Sequence, residues 1–336
     1  MKIAVVGMGP AGAYLSALLA DNYDIEVFEM QNKETFSSIC AWGTGYYKME
    51  ELLKDVGLNF DDYVIHRGKE LYVDLKNRIF TVKLYGLSTF NKPKLLKDLV
   101  SKVKVNYGKC IRSHAVREAF ELVIDATGIY RALLPPVEGE DFLIPTVQYL
   151  VKFKHPPFDD FYVKPFKSYS GYLWFFPLDN GYAHVGAGDA RYGKYVYEVL
   201  AFIKRYNGEV VRKMGRPLRL TPPSLATPHY INNIIGVGES VGTVFPLLGE
   251  GILPSMMAAK LLKDNIDRPK RYSEVLKSRF KRFEDAFRFV KLKMEGRNLM
   301  HFAILALKLH RYFKANRDHT GVDPSILDTL KVLKPF

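Results

Sequence analysis

An α/β fold with an inserted antiparallel sheet is what this sequence predicts, on three observations. Residues 2–6, KIAVV, form a short apolar β run that closes on the glycine-rich turn GMGPAG and a helix-forming stretch. Two more apolar β runs, at 121–125 and 234–237, each close on a turn of small residues. Between them lie β-like stretches rich in aromatic residues and broken by turn signals, the pattern of a mostly antiparallel sheet.

The first forty residues carry the most specific motif. Gly7, Gly9 and Gly12 make G-x-G-x-x-G, with Pro10 and Ala11 opening the helix. Gly7 permits the tight turn, Gly9 lets backbone N–H groups approach a pyrophosphate, and Gly12 lets the helix pack close on the strand. The helix N-terminus adds unpaired N–H groups and the positive end of its dipole. A second β run, Asp24 to Phe28, leads to Glu29, 22 residues after Gly7, where a ribose hydroxyl is usually held. The preceding strand, the following helix and this acid together predict a Rossmann-like dinucleotide-binding domain. The acid also disfavours a bound 2′-phosphate, so FAD or NAD is expected rather than NADP.

The chain has 336 residues, 48% of them hydrophobic, enough for a substantial core in two domains. No apolar run is long enough to span a bilayer; the best, Leu299 to Leu309, is interrupted by His301 and Lys308. The first residues already read as a strand, so no signal peptide and a cytoplasmic location are expected. Cys40 and Cys110 cannot make a disulfide scaffold or a four-thiolate cluster, and no metal site is expected. The net charge is +13, and residues 270–317 hold 14 Lys+Arg against 4 Asp+Glu. Such a basic segment is either a solvated face or an attractor of an anionic membrane or a phosphorylated substrate. No nucleic-acid-binding motif accompanies it.

The far end of the chain decides which dinucleotide is expected. In ELVIDATGIYR, residues 121–131, a strand closes on Ala126-Thr127-Gly128. A strand from Ile234 to Val237 closes on Gly238-Glu239, and Pro246 and Gly249-Glu250-Gly251-Ile252 then open a helix. Amides at that helix N-terminus can face the pyrimidine edge of a flavin and stabilise negative charge on the reduced ring. Together with the N-terminal motif, these features resemble the FAD-dependent geranylgeranyl reductase family, within the p-hydroxybenzoate-hydroxylase-like flavoprotein group, over about residues 1–265. The resemblance implies FAD as the cofactor. It also implies that Gly238-Glu239 stands where relatives carry Gly-Asp, whose acid bonds the ribityl chain. Glu239 is one departure; TFNKP at 89–93 is another, since relatives tend to carry an arginine leading into that helix.

GYLWFFPLDNGYAHVGAG, residues 171–188, packs four aromatic rings into five residues. On a strand, Tyr172, Trp174 and Phe176 point to one face, and Leu173 and Phe175 to the other. Asp179-Asn180-Gly181 supplies a hairpin turn, and Tyr182 to Val185 returns. The stretch is similar to the reductase signature Y-x-W-x-F-P followed by V-G-x-G, here Val185, Gly186 and Gly188. A wall of rings suits a prenyl chain, since each buried methylene contributes ~0.8 kcal/mol. The alternative is that the hairpin is simply sheet core. Cys40, in SSICAWGTG at 37–45, stands in the position of the family's Cys-Gly-rich segment near the flavin. It either lines the site, supplies a proton, or is a small buried residue; Cys110 reads as structural.

The expected organisation is a discontinuous FAD-binding domain at 1–65, 93–130 and 225–265, a substrate-binding sheet domain at 66–92 and 131–224, and a basic helical C-terminal region at 266–336. In the tail, Leu276, Phe280, Phe283, Phe287 and Val290 recur at helical spacing as one apolar stripe, with Lys277, Lys281, Arg288 and Lys291 off it. The expected function is saturation of carbon–carbon double bonds in a prenyl chain, as a diphosphate or an isoprenoid ether lipid. Cys40, Tyr172, Trp174 and Phe176 are expected around that substrate. No second dinucleotide motif is evident, so NAD(P)H or a small redox protein is the expected electron source. The basic tail is expected to contact an anionic membrane at its inner face. The alternatives are an FAD-dependent monooxygenase of an aromatic or lipid substrate, and a non-catalytic flavin electron-transfer or lipid-binding protein.

Overall fold

Residues 1–37, 40–76, 78–111, 116–167, 170–191, 193–295 and 299–333 are described by a computed structural model. The Lys2–Val6 strand pairs in parallel with Asp24–Phe28 on one side and Leu122–Asp125 on the other. Ile234–Gly236 and Lys104–Asn106 extend the sheet in parallel, and Tyr230–Ile231 closes one edge in antiparallel. Ile3, Ala4, Val5 and Val6 are all buried, as a parallel strand covered on both faces requires. The helices Pro10–Leu19 and Ile252–Lys263, one from each end of the chain, pack against each other beside this sheet. The Rossmann-like layer is therefore assembled from distant segments, as the three small-residue turns predict.

The second sheet has seven strands. Its centre is antiparallel: Thr146–Lys152, Tyr182–Asp189, Gly171–Pro177 and Phe161–Pro165. Glu70–Leu75 joins Phe161–Pro165 in parallel, and Glu209–Met214 and Arg78–Lys83 form the edges. The hairpin at 171–189 turns through Asn180 and Gly181, both left-handed with φ 52° and 72°. Two such residues give the turn the twist that matches right-handed strands. Leu173 and Phe175 are buried with Val199, Phe202 and Ile203 beneath the Tyr195–Arg205 helix, so one face of the hairpin is core. Tyr172, Trp174 and Phe176 occupy the opposite face and are only half-buried.

A small three-stranded sheet, Gly43–Gly45, Leu87–Phe90 and Val64–Arg67, joins the two layers. Thr89 ties it to the large sheet by donating from Oγ1 to the Pro177 carbonyl at 2.7 Å. The apolar tail stripe runs across two helices, Pro269–Arg279 and Lys281–Glu295, with the break at Phe280. Leu276, Phe280, Phe283 and Phe287 are buried, while Lys277, Lys281 and Arg288 stay exposed. Among the described residues no helix is long and apolar enough to cross a membrane. Cys110 departs from its structural reading: it lies past the end of the Lys104–Asn106 strand and is exposed.

Candidate functional site

The glycine turn is shaped by two close approaches and one open space. Gly7 has φ +105°, and a Cβ there would meet the Ala126 carbonyl carbon at 2.8 Å. The turn is thereby pressed onto Ala126-Thr127-Gly128. A Cβ on Gly12 would overlap the Gly7 carbonyl oxygen and sit 3.0 Å from the Ala126 side chain. Gly9 differs from both. Its backbone, φ −76° and ψ −176°, suits any residue, and a Cβ there would meet nothing within 4 Å. Protein packing gives no reason for glycine at this position, whereas a pyrophosphate approaching the backbone does. Pro10 begins the helix, whose first amides have no side-chain cap.

Glu29 is buried beside this turn. Its Oε2 accepts from the Met8 amide at 3.1 Å and its Oε1 from the Gln31 amide at 2.8 Å. Each oxygen keeps a lone pair for a ribose hydroxyl.

The two later small-residue turns meet here. Asp125, fully buried, accepts from the amides of Thr127, Leu133 and Leu134 and from the Thr127 hydroxyl. A Cβ on Gly128 would lie 3.4 Å from Glu239 Oε2. Glu239 is itself engaged: Oε1 accepts from the Arg219 amide at 2.9 Å, and Oε2 faces the Arg216 guanidinium at 3.0 Å. The Arg219 guanidinium donates to Asp141 and to the carbonyls of Gly128, Ile129 and Glu239. Arg131 donates to the carbonyls of Pro135, Ala226, Pro228 and Ser240. Two buried arginines thus fasten the turn after Leu122–Asp125 to the one after Ile234–Gly236. Gly238 brings the second of them against Ala11, whose Cβ would lie 2.7 Å from an added Cβ.

Pro246 and Gly249 lie in the turn between Phe245 and Glu250, which form a bridge. Gly251 then caps the Ile252–Lys263 helix. The amides at this helix start are not all free, as the sequence suggests: Glu250 Oε1 accepts from Ile252 at 3.1 Å and Leu253 at 3.0 Å. Burial pushes the Glu250 carboxyl up from 4.5 to about 7, against the opposing pull of those two amides and of Lys92. The folded protein therefore holds this proton at pH values where the unfolded chain has lost it. Between about pH 4.5 and 7 the folded state binds more protons, so stability falls as pH rises through that window. Glu250→Gln removes the titration and keeps an acceptor oxygen for the helix. It is expected to stabilise the flavin-free protein above pH 7 by on the order of 2 kcal/mol and to flatten its pH profile. Thermal melts from pH 4 to 8 check this; a variant whose profile still falls in parallel with the parent contradicts it.

The ring face abuts this loop. Tyr172 donates its hydroxyl to the Leu248 carbonyl. Trp174 meets Tyr172 edge-on at 5.8 Å and lies over Gly186, where a Cβ would come 2.5 Å from the indole. The glycine of V-G-x-G is thus explained by the tryptophan it accommodates. Phe176 lies further along the face and is drawn into packing: its ring is edge-on to Phe161 at 4.9 Å and presses on Gly43. It closes the end of the wall, whereas Tyr172 and Trp174 lie nearer the Leu248 loop.

Polar groups converge at the same place. Trp174 Nε1 donates to Gln148 Oε1 at 3.3 Å. Gln148 Nε2 donates to the Cys40 carbonyl at 2.8 Å and stands 3.0 Å from His184 Nδ1. The Cys40 thiol accepts from the Trp42 amide at 3.4 Å. Lys92 is buried among charged and titratable neighbours; burial lowers its pKa, Arg216 lowers it further, and Cys40 and Glu239 oppose the shift.

Of the residues singled out in the sequence, the structure gathers Gly7, Gly12, Ala126, Gly128, Gly238 and Glu239 at one end. It brings Tyr172, Trp174 and Cys40 together at the other, and Ser38 and Ile39 beside Cys40 lie outside the described residues. Sequence reading did not single out Lys92, Gln148, His184 or Arg216. Gln148 and His184 carried a signal, each being a lone polar residue inside an apolar β run. Lys92 lies in the TFNKP stretch that departs from the resembled pattern, and Arg216 carried no signal at all.

A parallel sheet with this glycine cradle, joined to an antiparallel sheet, is a fold shared with solved FAD-dependent flavoproteins. Over 99% of its length the chain is similar to a geranylgeranyl bacteriochlorophyll reductase-like protein of Thermoplasma acidophilum, with 96% of that chain covered, a TM-score of 0.73 and 16% identity. A probable FAD-dependent monooxygenase of Pseudomonas aeruginosa matches with a TM-score of 0.67 and 15% identity, covering 91% of this chain and 99% of that one. A flavin-dependent halogenase matches at 0.64 and 14%, covering 94% and 71%. No family model matches the chain. In sequence it is 26% identical over 370 aligned positions to an uncharacterized protein of Methanocaldococcus jannaschii, with 96% of each covered.

Proposed function

We propose that the protein is an FAD-dependent reductase that saturates carbon–carbon double bonds of a prenyl chain carried on a diphosphate or an ether lipid. The observation that carries this reading is the half-buried Tyr172–Trp174 face, joined through the Tyr172 hydroxyl to the loop that opens the Ile252–Lys263 helix. Gly7, Gly9 and Gly12 would hold the FAD pyrophosphate, Glu29 the ribose, Thr127, Gly128 and Glu239 the ribityl side, and Gly249 to Ile252 the ring system. The open space at Gly9 and the uncapped helix start fit that group.

When bound and reduced, FAD supplies hydride chemistry to this site. The chain's own residues do the rest. Tyr172 and Trp174 present apolar ring surface that orients an alkene and excludes water. An unactivated alkene accepts hydride poorly, so a proton must reach its other carbon early or in concert. Burial raises the Tyr172 hydroxyl well above its ordinary pKa, and that hydroxyl is committed to Leu248. This leaves the Cys40 Sγ–H as the better placed donor. Lys92, whose ammonium is made more acidic by burial, is positioned to reprotonate the thiolate. NAD(P)H or a small redox protein is the reductant, and the exposed Lys277, Lys281 and Arg288 hold the enzyme at an anionic membrane surface or steer a diphosphate.

Dithionite-reduced, FAD-loaded protein incubated without dioxygen with geranylgeranyl diphosphate or a geranylgeranyl ether lipid tests the reading. Each product molecule should gain the mass of one H2 per bond saturated, with flavin reoxidised in step. Reoxidation without any mass gain would favour electron transfer; gain of an oxygen atom, only in air, would favour a monooxygenase.

A further inference from the structure

His184 lies on the Tyr182–Asp189 strand directly opposite Phe176, on the face that carries Tyr172 and Trp174. It is 1% exposed. Its protonation pattern follows from its neighbours by forced steps. An indole N–H can only donate, so Gln148 Oε1 must be the acceptor from Trp174, and the other end of the amide is the NH2 group. A carbonyl can only accept, so one amide hydrogen goes to the Cys40 oxygen. The second points to His184 Nδ1, which must therefore be unprotonated. Burial lowers the imidazole pKa from 6.5 to about 3, so the ring is neutral and its single proton sits on Nε2. Yet Nε2 is buried and has no hydrogen-bond partner among the described residues. The Trp42 ring meets the imidazole edge-on, with centroids 4.7 Å apart, and fixes its orientation. A chain of forced donors and acceptors thus ends in a buried N–H on a ring-face residue, with no hydrogen-bond acceptor among the described residues.

A buried unpaired donor costs about 1–3 kcal/mol, and a hydrophobic residue in its place would not carry that cost. We propose that His184 is a specificity-determining hydrogen-bond donor: its Nε2–H takes an uncharged oxygen of the bound substrate, and Trp174 and Gln148 set the tautomer that makes this possible. The substrate class is thereby an isoprenoid that carries an alcohol, ether or carbonyl oxygen, held at an otherwise apolar wall, rather than a bare hydrocarbon chain. A neutral donor suits an uncharged oxygen. This inference rests on reading the face as a substrate wall, and not on alkene reduction itself.

Two measurements test it, and neither uses turnover. Long-range proton–nitrogen NMR of histidine-labelled, flavin-free protein reads the tautomer, with the His184 signals identified by their loss in His184→Phe. The expected pattern is a protonated Nε2 and a bare Nδ1 across neutral pH. An Nδ1-protonated ring or an imidazolium overturns the proposal, and His184→Gln supplies the same signal assignment where His184→Phe does not fold. Fluorescence of Trp42 and Trp174, the protein's two tryptophans, then follows binding of geranylgeraniol and of its analogue with CH3 in place of CH2OH. Geranylgeraniol should bind about tenfold more tightly to the FAD-loaded parent, and His184→Phe should erase that preference while binding the analogue as before. Equal affinities in the parent, or a preference that survives in His184→Phe, overturn it. So does an Nε2 resonance that moves on adding FAD and not on adding geranylgeraniol, since the flavin would then be the acceptor. A His184-dependent preference without any alkene saturation would instead sink the reductase reading and leave this inference standing.

Discussion

Replacing Gly9 with valine is expected to leave the flavin-free protein as stable as its parent, within about 0.5 kcal/mol, and to abolish FAD binding. The two halves of this result have separate causes. The Gly9 backbone is extended and a Cβ there meets no protein atom within 4 Å, so the added carbon meets no clash in the fold. On the proposed reading the same empty volume is where the FAD pyrophosphate approaches the helix N-terminus, and the valine side chain would fill it. An affinity loss of at least about a hundredfold corresponds to ~3 kcal/mol, a modest figure for displacing a doubly charged group from its amide donors. Gly12→Val is the control. Its side chain would drive into the Gly7 carbonyl oxygen and the Ala126 methyl, so it should unfold the domain with or without flavin. Thermal melts of the flavin-free proteins and quenching of FAD fluorescence on titration read both effects. A Gly9→Val variant that retains FAD affinity would place the cofactor elsewhere.

Trp174→Ala is expected to lower kcat/KM for alkene reduction at least about a hundredfold, with FAD content unchanged. Leu173→Ala, one residue away, should instead lower stability by about 2–5 kcal/mol and leave the activity of the folded fraction near that of the parent. The contrast follows from the two faces of one strand. Leu173 is 1% exposed and packed beneath the Tyr195–Arg205 helix, so its truncation opens a cavity. Trp174 is half-buried on the other face, over Gly186, and its loss removes ring surface from the proposed substrate side together with the donor that orients Gln148. Parallel melts and steady-state kinetics on both variants separate the roles. Equal stability losses with activity retained in Trp174→Ala would return that ring to the core.

The fold is legible in the sequence where a local pattern has one physical solution. A strand, three spaced glycines, a helix and a following acid admit little besides a βαβ nucleotide cradle, and period-2 alternation around Trp174 fixes which rings share a face. The tail is legible as helix from its stripe. The break at Phe280 is not, because the apolar spacing continues unchanged through it. Phe176 shows the limit of alternation: it shares a face with Trp174, yet Gly43, from a strand remote in sequence, and Phe161, on the neighbouring paired strand, claim its ring. The polar half of the site is the least legible. Lys92, Gln148, His184 and Arg216 come from a helix, two strands and a loop, and each looks ordinary until burial and the neighbours imposed by tertiary pairing give it a constrained role. Glu250 is intermediate: its helix-opening position is readable, but the capping bonds that occupy it are not.

The most direct measurement of the central claim is a crystal structure of the protein with FAD and a geranylgeranyl chain bound. Density for the isoalloxazine between the Gly249–Ile252 loop and the Tyr172–Trp174 face, with the prenyl chain lying against those two rings, is the predicted result. Flavin bound with its ring system away from that face, and the face sealed by protein side chains with no space for a chain, would contradict the account.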